Sequence, residues 1–220
     1  MTIILLRGIV GAGKTGVGKC IEQQYGALRL SVDDVRLHVT FDDSVKLGDA
    51  FRTDDAFKNQ QRFVYNVVLY LATHQGQDPA LVTEKLVRSA PYITLSDAEQ
   101  ASLQAYVRAK LNKPHDLVTI EGTFSNPDQL KHFYDTIDPK PIIIEVQVEE
   151  SVIRSRLTLR GIENESRAAI NIYDALLPLW KDAKTLGYDG VFFVDNSSDW
   201  NATQANIEGV MGRLGLSRKA

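Results

Sequence analysis

The 220-residue sequence has one cysteine, Cys20, so no disulfide can form within the chain and a disulfide-stapled fold is excluded. Cys20 is expected to pack inside the first helix. The four histidines, His38, His74, His115 and His132, are scattered without the spacing of a ligand set, so no zinc site is expected. Charge of one sign is not in excess either: 25 basic against 28 acidic residues leave a formal net charge of −3. Nothing in that balance draws the whole chain to a polyanion, and a nucleic-acid contact would need a local patch. Long hydrophobic runs are missing. The apolar run Ile3–Leu6 is too short for a signal peptide or a membrane span. A cytoplasmic protein with no membrane contact is expected. Internal repeats, low-complexity segments and interdomain linkers are also lacking, so residues 1–220 are expected to form one domain.

What is present is an apolar fraction of 44%, enough for a sizeable core. It is arranged as short apolar runs alternating with helical patterns. Thr2–Arg7, Ala27–Val32, Leu117–Glu121, Pro141–Val148 and Gly190–Asp195 read as strands. Helices are expected over Lys14–Tyr25, Asp54–His74, Pro127–Tyr134 and Asn201–Leu214. In the long second one, Phe57, Phe63, Val64, Val67, Val68 and Leu71 recur at helical spacing. A further helix is expected from Glu149 or Glu150 to Arg160, and Glu165–Leu186 reads as largely helical, with Pro178 as a kink. Gln77–Lys113 reads as a helical insertion, with a capping box at Ser96-Asp97-Ala98-Glu99. Ser217–Ala220 is expected to fray. This order predicts an α/β fold with a five-stranded, mostly parallel sheet covered on both faces.

Gly8-Ile9-Val10-Gly11-Ala12-Gly13-Lys14-Thr15 matches G-x-x-x-x-G-K-[ST] at every fixed position, after a strand and before a helix. The fold is therefore expected to be the three-layer sandwich of P-loop NTPases. Gly8, Gly11 and Gly13 permit positive φ and close backbone approach. The backbone of Gly8, Gly11, Ala12, Gly13, Lys14 and Thr15 would cradle phosphates at a helix N-terminus. Lys14 would add a point charge, and the Thr15 hydroxyl would bind Mg²⁺. The expected ligands are thus ATP and Mg²⁺.

GTPase signatures are absent: there is no D-x-x-G, and Asn112-Lys113-Pro114-His115-Asp116 is one residue too long for N-K-x-D. A kinase needs a base for the acceptor hydroxyl and cations over the phosphoryl group. Asp33, just past the second strand, is the candidate base, and Arg36 the candidate acceptor contact. The plain alternative is that Asp33 and Asp34 merely cap the next helix. Arg156 and Arg160 are four apart in Arg154-Ser155-Arg156-Leu157-Thr158-Leu159-Arg160-Gly161. They are candidates for a lid over the nucleotide, spanning about residues 154–167; a solvated basic face is the alternative. Glu121 would hold Mg²⁺ through water or orient Arg36, or else is a solvent-facing carboxylate. Asn196 and Ser197 follow the last strand and are positioned to meet an adenine.

Together these residues resemble the 5′-hydroxyl polynucleotide kinase domain of phage origin, and more broadly the small P-loop kinases that include zeta toxins and chloramphenicol phosphotransferase. Ser31-Val32-Asp33-Asp34-Val35-Arg36 is similar to that family's base-bearing D-D-x-R segment. Glu121-Gly122-Thr123-Phe124-Ser125-Asn126-Pro127 is similar to its third-strand segment, and Arg156-x-x-x-Arg160-Gly161 to its lid. The resemblance covers residues 2 to 180. It implies ATP-dependent phosphorylation of a hydroxyl on a DNA or RNA 5′ end, a modified base or a nucleotide. A small acceptor, such as a sugar nucleotide or antibiotic, and a non-kinase ATP-binding switch are the other readings. The chain departs from the family in having Glu121 where an aspartate is frequent, in lacking a following phosphatase domain, and in the 77–113 segment.

Overall fold

The computed structural model describes the backbone of residues 1–39, 55–163 and 170–219, and the side chains there except those of 56, 57 and 160–163. Five strands, β1 (Thr2–Arg7), β2 (Leu28–Ser31), β3 (Leu117–Glu121), β4 (Ile142–Gln147) and β5 (Val191–Asp195), form one sheet in the order β2-β3-β1-β4-β5. Every described pairing is parallel, so the sheet is wholly rather than mostly parallel. Strands covered on both faces are continuously apolar, and this one divides its side chains between two cores. Ile3, Leu5, Leu28, Leu30, Val118 and Ile120 face one core, and Ile4, Leu6, Ile144, Val146 and Val194 the other.

On the first face lie α2 (Val32–His38), α3 (Asp55–Thr73), α4 (Pro79–Arg88), α5 (Asp97–Lys110) and α6 (Pro127–Thr136). On the second lie α1 (Lys14–Tyr25), α7 (Glu150–Glu163), α8 (Ile170–Leu176) and α9 (Trp200–Arg213). This is the expected three-layer sandwich. Residues 77–113 contribute α4 and α5, and Val82, Leu86, Leu103, Tyr106 and Val107 from them enter the first core. The capping box forms: Ser96 Oγ accepts from the Glu99 N–H at 3.3 Å, and Glu99 accepts from the Ser96 N–H at 2.8 Å. No described helix is long and apolar enough to cross a membrane.

Three local expectations are corrected. Val32 does not end β2; Ser31 accepts from the N–H groups of Asp33 and Asp34 and starts α2 one residue earlier. The helix expected over Glu165–Leu186 is only α8 and a 3₁₀ turn, Leu177–Leu179, among the described residues; the start of that range lies outside them. Beyond Pro178 the chain is held by a buried ion pair instead. Arg7, fully buried at the end of β1, bonds Glu145 at 2.9 Å and the Lys181 carbonyl at 2.9 Å, and lies 4.2 Å from the Trp180 ring. Glu145 also accepts from the Ala183 N–H at 2.9 Å. The tail does not fray at Lys219, whose N–H bonds the Gln24 carbonyl at 2.8 Å.

Burial pushes the Arg7 guanidinium below its ordinary pKa and the Glu145 carboxyl above its own, and each partner offsets part of that shift in the other. A buried pair is costly to break from one side, because the remaining charge keeps its desolvation cost. Glu145→Ala is therefore expected to lose about 3–5 kcal/mol of stability in urea unfolding.

Candidate nucleotide and acceptor site

The parallel register puts Leu6 beside Glu121 and Glu121 beside Ser31, so β1, β3 and β2 end on one edge. The loop between β1 and α1 lies on this edge. Gly11 and Gly13 have φ of 85° and 87°, the left-handed region that favours glycine. Gly8 does not; it is close-packed instead, since a side-chain carbon there would lie 2.9 Å from the Val146 carbonyl. Gly13 is the N-cap of α1 and has no side chain to satisfy the first-turn N–H groups, and that turn carries no acid. A helix start of this kind is suited to an anion. Lys14 Nζ donates to the carbonyls of Gly8 at 2.8 Å and Ile9 at 3.2 Å.

One long-range tie holds the loop through Asn196, and two further bonds hold Asn196. Asn196, at the end of β5, donates through Nδ2 to the Ala12 carbonyl at 2.8 Å and accepts from Thr203 Oγ1 at 2.9 Å. Arg156 Nη2 donates to the Asn196 carbonyl at 2.8 Å, and its Nη1 would lie 3.8 Å from a side-chain carbon on Gly13. The Arg156 guanidinium therefore lies beside the loop at Gly13. Arg154 turns away to Glu150 and Asp174. Arg160 belongs to α7 by its backbone; its side chain lies outside the described residues, as does the part of the expected lid from 164 to 167. Ser197 Oγ accepts from the Glu149 N–H at 2.9 Å, so both residues positioned for an adenine have side chains committed to the protein.

Glu121 is 4% exposed, which corrects its reading as a solvent-facing acid. Its Oε1 accepts from Thr15 Oγ1 at 2.5 Å and its Oε2 from Arg29 Nε at 2.9 Å. Its basic partner is thus Arg29 and not Arg36. Arg29 Nη1 donates in turn to Asp34 Oδ2 at 3.0 Å. Thr15 and Glu121 bring two hard oxygen donors together. Mg²⁺ is usually held by one or two carboxylates with substrate phosphates rather than by a protein cage, and this pair fits that habit. Among the described residues no group of three or more His, Cys, Asp and Glu could hold a metal ion.

On the β2 side, Ser31 takes the capping role that Asp33 and Asp34 were candidates for. Asp34 is bound to Arg29. The Asp33 side chain is 71% exposed, and its Oδ1 accepts from Arg36 Nη1 at 2.8 Å. Tyr65 of α3 senses the charges of both, and its hydroxyl donates to Gln129 Oε1 of α6 at 3.2 Å. Burial raises the Tyr65 pKa, so the ring presents a neutral hydroxyl here. Sequence reading missed Arg29, Tyr65 and Gln129. Only Arg29 left a signal, as the one charged residue in the buried strand Leu28–Ser31.

No family model and no curated protein sequence matches the chain. Solved structures do. A sugar kinase from Janibacter sp. is similar over 98% of this chain and 95% of its own, with TM-score 0.60 and 11% identity. Kti12 from Chaetomium thermophilum in complex with ADP-AlF3 is similar over 96% and 97%, with TM-score 0.52 and 13% identity. A gluconokinase from Sinorhizobium meliloti is similar over 97% and 93%, with TM-score 0.51 and 14% identity. At these identities the likeness is one of fold: the three-layer α/β sandwich is shared with these structures over 96–98% of the chain.

Asn196→Ala would strip the buried Ala12 carbonyl and the Thr203 hydroxyl of a partner. It is expected to lose about 1–3 kcal/mol of stability for an unsatisfied buried group, read by chemical denaturation beside the wild type.

Proposed function

We propose that the chain is an ATP-dependent kinase that moves the γ-phosphoryl group to a hydroxyl acceptor. The observation that carries this is the exposed Asp33 carboxylate, paired with Arg36 at 2.8 Å, on the sheet edge that carries the P-loop and Glu121. That openness supports a kinase over a nucleotide-dependent switch, which needs no acid there. The names of the matching gluconokinase and sugar kinase, and the ADP-AlF3 held by Kti12, go in the same direction.

In this reading the acceptor hydroxyl gives its proton to Asp33 and its oxygen attacks the γ-phosphorus. The bond from that phosphorus to the β–γ bridging oxygen breaks, and ADP leaves. Lys14, Arg156 and Arg160 offset the charge that spreads over the phosphoryl oxygens, and Arg36 holds the acceptor near Asp33. Mg²⁺, held by Thr15 and Glu121 with the phosphates, would supply further charge neutralisation. The backbone from Gly8 to Thr15, Ala12 included, cradles the triphosphate. The segment about 154–167 acts as a lid, residues 77–113 shape the acceptor side beside α2, and the protein works in the cytoplasm.

Two acceptor classes follow from different observations. The D-D-x-R segment and its resemblance to polynucleotide kinases favour a nucleic-acid 5′-hydroxyl, a modified base or a nucleotide. The net charge of −3 and the sugar kinase and gluconokinase folds favour a small polyol, sugar nucleotide or antibiotic. Transfer of radiolabel from γ-labelled ATP to 5′-hydroxyl DNA and RNA oligonucleotides, set against small polyols and nucleosides, separates them. Asp33→Asn is expected to bind ATP as the wild type does and to lose transfer about 10²–10⁴-fold, the usual contribution of a general base. Undiminished turnover in that variant would remove Asp33 from the mechanism.

A further inference from the structure

Arg29 divides its guanidinium between two carboxylates that belong to different halves of the site. Nε bonds Glu121 Oε2 at 2.9 Å, and Nη1 bonds Asp34 Oδ2 at 3.0 Å. Glu121 is the acid beside Thr15. Asp34 is in the first turn of α2, next to Asp33. The guanidinium is 9% exposed as a side chain and Glu121 4%, so their contact is shielded from water. Helix α1 closes over it: a side-chain carbon on Gly18 would lie 3.2 Å from Glu121 Oε2 and 3.4 Å from Arg29 Nε. The same strand residue is held from the other side, where Lys110 of α5 donates to the Arg29 carbonyl at 2.9 Å. Burial alone would lower the arginine pKa, but Glu121 and Asp34 outweigh it and raise the pKa above its ordinary value.

We propose that Arg29 is a positioning residue that sets the Mg²⁺-facing oxygen of Glu121 and, through Asp34, the turn that carries Asp33. This rests on the reading of Thr15 and Glu121 as the Mg²⁺-binding pair. By occupying Oε2, Arg29 fixes the carboxylate so that Oε1 alone faces Thr15, at 2.5 Å. By holding Asp34, it locks the first turn of α2 to the same point. Only a planar fork spans both partners in fixed directions; a lysine ammonium is a point charge on a flexible stem and keeps one at best. The metal side and the acceptor side thereby share one rigid support.

The test reads Mg²⁺, not phosphoryl transfer. Binding of a fluorescent ATP analogue is titrated with Mg²⁺, and measured separately in EDTA, with no acceptor present. Loss of an outer partner of a metal ligand typically costs about 10–100-fold in metal affinity. Arg29→Lys is therefore expected to raise the Mg²⁺ half-saturation by about that factor, while nucleotide affinity in EDTA stays at the wild-type value. Asp34→Asn, which keeps the buried Arg29–Glu121 contact, is expected to raise it in the same direction by a smaller factor. An unchanged Mg²⁺ requirement in Arg29→Lys overturns the proposal. So does an equal loss of binding with and without Mg²⁺, accompanied by a fall in the unfolding midpoint, because that marks support of the fold alone. If Arg29→Lys does not fold, Asp34→Asn decides: a raised half-saturation supports the proposal and an unchanged one overturns it. A chain that binds nucleotide and phosphorylates nothing would sink the kinase reading while leaving this readout intact.

Discussion

Parallel pairing of β1 with β3 and of β3 with β2 sets Leu6, Glu121 and Ser31 in one row, and the loop, Thr15, Glu121, Arg29 and Asp33 hang from that row. The loop that leaves β1 carries the glycines and Lys14. The acid that ends β3 reaches Thr15 on one side and Arg29 on the other. The serine that ends β2 starts α2 and so places Asp33 and Arg36. A slip of one residue in either pairing would turn Glu121 toward the opposite face and break all of these contacts at once. The two cores, one on each side of the sheet, are what prevent that slip: Val118 and Ile120 are buried among α2 to α6, and no polar residue could replace them cheaply there.

Much of this was legible in the sequence because the signals are local. The P-loop is eight consecutive residues. The capping box at Ser96 and Glu99 spans four, and the apolar runs of the strands need no partner to be recognised. The expected strand Ala27–Val32 is one residue longer at each end than β2; at its C-terminal end Val32 continues the apolar run, but the Ser31 hydroxyl captures the N–H groups of Asp33 and Asp34. The end of the Glu165–Leu186 pattern departs from a helix for another reason. Helical spacing says nothing of Arg7, which draws the Lys181 carbonyl to a buried guanidinium 174 residues away in sequence.

The same contrast runs through the site. Glu121 could be flagged by its place at the end of a strand, but its partner Arg29 lies 92 residues earlier and has no motif. Arg156 could be flagged as one of a pair at helical spacing; that it reaches the loop through the Asn196 carbonyl depends on how β5 lies beside β4. Tyr65 and Gln129 come from two helices that meet only once the first core has formed. Residue types and their order therefore mark out the chemistry, while the supports that aim it come from pairings distant in sequence.

Asn196 has a consequence for the order in which the molecule is made. Its amide reaches back 184 residues to Ala12, and Thr203 braces it from α9. The residues that define the P-loop leave the ribosome well before Asn196 and Thr203, the groups that brace them. A nascent chain can form α1 early, since its helical bonds are local, but the Ala12 carbonyl does not gain its Asn196 partner until β5 and α9 have emerged. Contacts of such long separation form late, because the chain entropy of closing them must be met first. The loop is therefore braced only after β5 and α9 have been made, and a chain that stops short of them carries the motif without that brace.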